Sequence, residues 1–207
     1  MLRDRGDDDD DYTYEMDDYL GEYASVSSIV REALPFELIA VVGGIVSGIV
    51  LSGMTAEIEM IPGLLVLVPG IMGLRGNISS ALGSRLSSSV HMGLVTGYDW
   101  RNRELLNNLL GSTILTIIIS FFLGILSYLV STFLGFPTAG LFKLILISVL
   151  SGVISGLLLS VVTVVLAIET FRAGLDPDNV VTPAIATIGD ILSMIMIFII
   201  ARVVIMI

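Results

Sequence analysis

The chain consists of long apolar runs joined by short polar connections, and this pattern predicts helices that span a membrane. A membrane-spanning helix needs about 20 apolar residues. Five regions are candidates, at about residues 36–54, 60–74, 105–130, 141–168 and 183–207. The predicted fold class is therefore an all-α, multi-pass integral membrane protein of the cell membrane, with five transmembrane helices in each protomer.

The second region differs from the other four. Its apolar part is only about 15 residues, roughly 22 Å of helix, which is too short for a hydrocarbon core of about 30 Å. A serine-rich stretch that is compatible with a helix continues to His91. Either one long helix passes Asn77 into a polar environment, or the helix breaks there. Both versions place polar groups in a pathway, because broken backbone at membrane depth must line a cavity or be buried by protein.

The basic residues predict the orientation of the chain in the membrane. The connection after the second region holds four arginines, and the connection before the fifth holds Arg172. The connections on the other side, residues 55–59 and 131–140, hold no lysine or arginine. Because cytoplasmic connections carry the excess of basic residues, we expect a cytoplasmic N-terminus and an external C-terminus.

Composition agrees with a membrane protein, since 55% of the residues are hydrophobic and the mean hydropathy is +0.95. The net charge of −10 is concentrated in residues 1–23, which hold ten acidic residues and two arginines. We expect residues 1–22 to form a disordered acidic tail, residues 23–35 an amphipathic lead-in, and residues 36–207 the membrane domain. The alternative function for the tail is a local attractor or weak sensor of divalent cations.

The residue inventory excludes several kinds of chemistry. The chain has no cysteine and one histidine, so it lacks thiolates for disulfides or catalysis and the ligands of the usual zinc site. It carries no nucleotide-binding fingerprint. We therefore expect that the protein is not an enzyme, uses no cofactor and has no nucleic-acid partner, and that membrane lipid surrounds its helices.

Asp190 lies inside the otherwise apolar fifth region. A carboxylate in a membrane helix costs about 2.5–3.5 kcal/mol on insertion scales, so it normally faces a partner, an ion or water. Ala186 and Thr187 precede it by four and three residues and share its helix face. Carboxylate, hydroxyl and carbonyl oxygens are hard ligands that suit Mg²⁺, Ca²⁺ or Mn²⁺. The alternative is an aspartate paired with an arginine or capped by helix N–H groups.

The connection before the fifth region contains Asp176 and Asp178. Two carboxylates at the cytoplasmic mouth of a path would concentrate cations there. Turn chemistry explains the same residues, with Thr182 capping a helix whose first position is Pro183. Both interpretations remain open from the sequence.

Two further sets of residues have competing interpretations. Glu57 and Glu59 form an outer acidic connection that is either solvated or a cation funnel. Glu169 either pairs with Arg172 or joins Asp176 and Asp178 at the cytoplasmic mouth of the path. Small residues at intervals of four indicate close helix packing, and for the second of three rows the alternative is a polar pore lining. The rows are Gly44 and Gly48; Asn108, Ser112, Thr116, Ser120 and Gly124; and Ser148, Gly152, Gly156 and Ser160.

Two motifs carry a resemblance to a known family. They read Pro69-Gly-Ile-Met-Gly-Leu-Arg75-Gly-Asn77-Ile-Ser-Ser-Ala-Leu-Gly-Ser-Arg85-Leu-Ser, and Asp176-Pro-Asp-Asn179 followed by Pro183 and Gly189-Asp190. Together they resemble the membrane domain of MgtE-type magnesium channels, and more closely the related eukaryotic solute-carrier magnesium transporters.

The resemblance implies a protomer that pairs with a second copy about a two-fold axis, with the ion path between the copies. It implies that Asp190 holds a hydrated Mg²⁺, that the backbone carbonyl of Ala186 contributes, and that Asn77 lies near the path. Asp176 and Asp178 correspond to the acidic cytoplasmic mouth of the family.

The eukaryotic relatives contain two such units in one chain, so a homodimer of this chain would rebuild the full set. We expect transport of Mg²⁺ through a channel-like path, with Mn²⁺, Co²⁺ and Ca²⁺ as further candidate ions. Arg75 and Arg85 would anchor the cytoplasmic side, because a free guanidinium in the path would repel the cation. The alternatives are an exchanger of Mg²⁺ for Na⁺ or H⁺, favoured by a broken second helix, and a non-transporting membrane subunit.

Overall fold

The structure is a computed structural model and describes residues 26–174 and 177–206. The acidic tail and Asp176 lie outside the described residues, as does the side chain of Asp178. The chain divides into two units, residues 1–38 and 39–207, and the second contains the helical bundle. The described helices are α1 Val26–Ser52, α2 Thr55–Met60, α3 Leu64–His91, α4 Arg103–Phe133, α5 Leu141–Arg172 and α6 Pro177–Ile205.

Four of the described helices are long and apolar enough to cross a membrane: α3, α4, α5 and the part of α6 from Val180 to Ile205. They coincide with the second to fifth predicted regions. The first predicted region lies in α1, whose apolar part, Glu37–Ser52, is shorter than the other four and than the roughly 20 residues that a span needs. The structure therefore supports four of the five predicted membrane spans.

Two helix boundaries differ from the expectation. α3 is one continuous helix of 28 residues, so the version in which it breaks at Asn77 is wrong. α6 begins at Pro177 and contains Pro183 in its interior, so Thr182 does not cap a helix that starts at Pro183. Proline suits the first helical position because the N–H that it lacks would have no intrahelical acceptor there.

α3 and α5 pack against each other, and each of them also packs against α4 and α6. Buried apolar residues form two clusters, one around Leu67 and Ile147 and the other around Leu86 and Leu159. These positions place one cluster toward each end of the bundle. Buried polar residues lie between them and form a polar layer: Arg75, Ser79, Thr116, Ser120, Ser151, Ser155 and Ser193.

The small-residue rows of α4 and α5 bring these two helices close together. Ser148 Oγ donates a hydrogen bond of 2.7 Å to the backbone carbonyl of Ser120. A Cβ added at Gly124 would lie 2.6 Å from the Cα of Ile145. The close-packing interpretation is therefore confirmed for these two rows.

Gly124→Ala should destabilise the bundle, because the added methyl group would collide with the backbone of α5. Overpacking of this kind costs about 1–3 kcal/mol. We expect the midpoint of thermal unfolding in detergent to fall for Gly124→Ala. Gly111→Ala is the matched control, since Gly111 also lies in α4 and an added Cβ there meets no described atom within 4 Å. Equal midpoints for the two variants would contradict the close packing of α4 and α5.

Candidate ion site

Asp190 lies on α6 at the level of the polar layer, and it is half-buried. The preceding residue, Gly189, packs against α5 and α3: a Cβ added there would lie 2.9 Å from Leu159 Cδ2 and 4.0 Å from the Cβ of Arg75. Among the described residues, Asp190 makes neither an ion pair nor a side-chain hydrogen bond. The pairing of this aspartate with an arginine is therefore not seen in the described part of the chain.

The carboxylate of Asp190 does not belong to a cluster of metal-ligating side chains in the described part of the chain. The described residues contain no group of three or more His, Asp or Glu side chains placed to hold a metal ion. Mg²⁺ keeps several of its water molecules when one or two carboxylates bind it. A lone carboxylate at this position thus fits the outer shell of a hydrated ion.

Ala186 and Thr187, the other predicted residues of this face, are half-buried on the same helix. Thr187 Oγ1 donates a hydrogen bond of 3.1 Å to the carbonyl of Pro183, so its lone pairs remain free to accept from a water molecule. The methyl group of Thr187 packs against Gly43 of α1, where a Cβ would collide with it. Thr187 therefore contributes an oxygen to the predicted face and also contacts α1.

Asn77 is exposed on α3, the helix that packs beside α6. Its side chain is not hydrogen-bonded to Asp190. Within the described protomer, no hydrogen bond therefore connects these two predicted site residues. The predicted acidic mouth remains a prediction, because Asp176 and the side chain of Asp178 lie outside the described residues.

The expectation that Arg75 anchors the cytoplasmic side is wrong, because its side chain lies in the polar layer and is 1% exposed. Nη2 donates a hydrogen bond of 3.1 Å to Thr116 Oγ1, and Nη1 packs against Gly156, where a Cβ would clash. The signal in the sequence was the two small-residue rows that contain Thr116 and Gly156, since they leave room for a large side chain. Arg85 differs, because it is exposed and donates a 3.0 Å hydrogen bond to Ser112 Oγ.

A polar cluster joins the connection before α4 to the end of α5. Tyr98 donates a hydrogen bond of 2.5 Å from its hydroxyl to Glu169 Oε1, and this bond raises the pKa of Tyr98 because only the neutral phenol can donate it. Glu169 also pairs with Arg172 at 2.9 Å. The predicted i,i+3 pair is therefore confirmed.

Glu57 is neither solvated nor part of a cation funnel, so both interpretations of this residue are wrong. It is 3% exposed, and its Oε1 accepts a hydrogen bond of 2.7 Å from Arg202 Nε. Arg202 also lies over the ring of Phe198, 4.3 Å from its centre. The ion pair fixes α2 to the end of α6, while Glu59 is exposed as a solvated connection requires.

The fold and the site together define a multi-pass membrane protein with a candidate cation site at mid-depth. Sequence comparison identifies the family. Residues 68–200 match the model of the MgtE family, which is described as a divalent cation transporter. The chain belongs to this family, and the matched range contains Asn77 and Asp190.

The chain is also similar to animal solute carriers. Solute carrier family 41 member 2 of Homo sapiens is 29% identical over 205 residues, which are 94% of this chain and 35% of the relative. Member 3 of Rattus norvegicus is 31% identical over 137 residues, 63% of this chain and 29% of the relative. The chain therefore spans about a third of the length of these curated relatives.

The Glu57–Arg202 pair should make stability depend on pH. The hydrogen bond from Arg202 lowers the pKa of Glu57, which lies outside the membrane-spanning helices. The pair therefore stabilises the fold above the pKa of an unfolded glutamate, and this contribution is lost as the pH falls through the lower folded value. We expect the thermal midpoint of Glu57→Gln to lie below that of the wild type at neutral pH, with the difference shrinking as the pH falls below the ordinary pKa range of a glutamate.

Glu59→Gln is the matched control, since it removes a neighbouring carboxylate that is exposed. Its midpoint should follow that of the wild type across the pH range. A difference between Glu57→Gln and the wild type that does not change with pH would show that the ion pair is not its source.

Proposed function

We propose that this chain transports Mg²⁺ across a membrane through a channel-like path between two copies, with Asp190 of each copy as the ion site. The observation that carries the proposal is a half-buried carboxylate, without a described partner, in a spanning helix of a member of a divalent cation transporter family. Its oxygens are the hard ligands that Mg²⁺ prefers.

The second copy is supported by the cost of exposing a charge to lipid. Asp190 is only half-buried in one protomer, and a carboxylate in the middle of a membrane helix costs about 3 kcal/mol on insertion scales. A copy related by a two-fold axis would cover this side and bring a second Asp190 opposite the first.

The chemistry of Mg²⁺ favours a path for the hydrated ion. Because Mg²⁺ loses water reluctantly, two facing carboxylates would contact the ion through its water molecules. The Ala186 carbonyl, the Thr187 hydroxyl and the Asn77 amide would be further contacts along the path. The charge and size of the hydrated ion would then set selectivity, while Asp176 and Asp178 would concentrate cations at the mouth.

The coupled exchanger now has less support than the channel-like path. The observation that would favour it is a broken second helix. α3 is instead continuous from Leu64 to His91. A channel-like path needs no Na⁺ or H⁺ gradient to move Mg²⁺, so uptake into liposomes without such a gradient is the behaviour that the proposal expects.

Asp190→Ala should remove most Mg²⁺ uptake into liposomes that contain a Mg²⁺-sensitive dye. The substitution deletes the carboxylate that offsets the cost of bringing the ion to mid-depth. We expect the initial rate to fall by on the order of tenfold or more, since a loss of only about 1.4 kcal/mol of ion binding is already tenfold.

Asp99→Asn is the matched control, because it neutralises an aspartate in the connection before α4, where the carboxylate accepts a hydrogen bond from the backbone N–H of Arg101. This variant should transport at the wild-type rate. Both variants should elute as the same oligomer as the wild type. A folded Asp190→Ala protein that transports at the wild-type rate would refute the proposed ion site.

A further inference from the structure

Arg75 is a buried positive charge for which the described residues provide no carboxylate partner. The two ion pairs among those residues involve Arg172 and Arg202 instead. The guanidinium has Thr116 Oγ1 as a side-chain acceptor, while Nε has no hydrogen-bond partner. A buried charge without an opposite charge is destabilising, so packing alone does not account for an arginine at this position.

Hydroxyl groups, Gly156 and apolar side chains such as Leu82 and Val153 surround the guanidinium. The cavity beside it measures about 10 Å³, which is room for a single water molecule. The hydroxyls of Thr113, Thr116 and Ser160 line this cavity and donate to backbone carbonyls one turn earlier. The Thr116 hydroxyl, whose proton is donated to the Ser112 carbonyl, accepts the hydrogen bond from Arg75 with a lone pair. An accepted hydrogen bond favours the charged guanidinium, and neither ion pair of the described residues involves it, so Arg75 is a positive charge inside the bundle.

The backbone of Arg75 lies beside the proposed ion site. A Cβ added at Gly189 would lie 4.0 Å from the Cβ of Arg75, and Asp190 is the next residue. Because packed helix axes are about 8–10 Å apart, the guanidinium and the carboxylate are on the order of 12 Å from each other. An ion held through its water molecules between two carboxylates lies farther away, on the order of 16 Å from each guanidinium. At an effective dielectric constant of about 60, between the values for protein and water, the repulsion of a divalent cation by the two Arg75 charges of a homodimer corresponds to about tenfold in affinity.

We propose that Arg75 is a fixed positive charge that weakens cation binding at Asp190 and thereby speeds release of the ion; the inference rests on the proposed ion site. In a homodimer, the two positive charges of Arg75 and the two negative charges of Asp190 sum to zero, so Arg75 partly offsets the attraction of the carboxylates for a cation. Conduction needs binding that is strong enough for entry and weak enough for exit. Arg75 provides the second condition, binding that is weak enough for exit. It does so from its buried position inside the bundle, outside the ion path.

Arg75→Gln tests the proposal because it removes the charge and keeps a polar side chain. Calorimetry on the full chain in detergent should show Mg²⁺ binding about tenfold tighter than in the wild type. The Mg²⁺ concentration for half-maximal uptake should fall in the same proportion, and the maximal rate should fall because release is slower. Arg75→Lys keeps the charge and should bind Mg²⁺ like the wild type. Arg172→Gln removes a charge at the exposed end of α5 and should also bind like the wild type.

Ions of different charge distinguish an electrostatic role of Arg75 from a purely structural one. A structural role would not make the change in binding affinity depend on the charge of the ion. Cobalt(III) hexaammine has the octahedral shape of hydrated Mg²⁺ but carries three charges. Because Coulomb repulsion is proportional to charge, Arg75→Gln should tighten binding of this ion about thirtyfold, against about tenfold for Mg²⁺. Equal changes for the two ions would mean that the substitution altered packing, and the proposal would be overturned.

Thr116→Asp keeps the proposal testable if Arg75→Gln does not fold. The new carboxylate would pair with Arg75 where the Thr116 hydroxyl accepts a hydrogen bond, so the charge is cancelled without removing the guanidinium. Mg²⁺ should again bind more tightly than in the wild type. Unchanged Mg²⁺ affinity in folded Thr116→Asp protein would overturn the proposal.

The role of Arg75 and the proposed ion site can fail separately. If Asp190→Ala binds and transports Mg²⁺ like the wild type, the ion site itself is misplaced. If Asp190→Ala loses Mg²⁺ binding while Arg75→Gln and Thr116→Asp bind like the wild type, only the role of Arg75 is wrong.

Discussion

The positions of apolar and polar residues in this bundle follow from the free-energy cost of placing polar and charged groups at membrane depth. Apolar clusters lie toward its two ends, and a polar layer lies between them. Small residues let the helices approach until polar atoms of one helix reach acceptors on the next, as Arg75 reaches Thr116 and Ser148 reaches the carbonyl of Ser120. Asp190 brings a carboxylate to the middle of the bundle, where it is half-buried without a described partner. The same cost that organises the polar layer is the reason for proposing an ion and a second copy at Asp190.

The membrane-spanning helices were the most predictable part of the fold, because the length of an apolar run is a local property of the sequence. The start of α6 was missed because turn residues and the first turn of a helix share the same residue types. The full length of α3 was left open because the stretch up to His91 is rich in serine. Ser79, Ser87 and Ser89 prove to be buried against neighbouring helices, and such burial depends on residues far away in the chain.

The sequence could predict only those residues of the candidate site that lie on one helix. The free-energy cost of a charge inside a membrane identified Asp190, and helical spacing placed Ala186 and Thr187 on the same face. Arg75 and Glu57 were misplaced because their partners, Thr116 and Arg202, come from distant helices. The family resemblance supplied further candidate residues but no distances between them. Contacts across the proposed two-fold axis cannot be predicted from the sequence of one protomer for the same reason.

The central claim is that two Asp190 carboxylates face each other across a two-fold axis and hold a hydrated divalent cation. The most direct measurement is an experimental structure of the full chain from crystals soaked in Mn²⁺, with the ion located by its anomalous signal. The account predicts a peak on the axis between the two Asp190 side chains, at a separation that leaves room for water between ion and carboxylate. A peak elsewhere, or Asp190 side chains that face lipid, would contradict it.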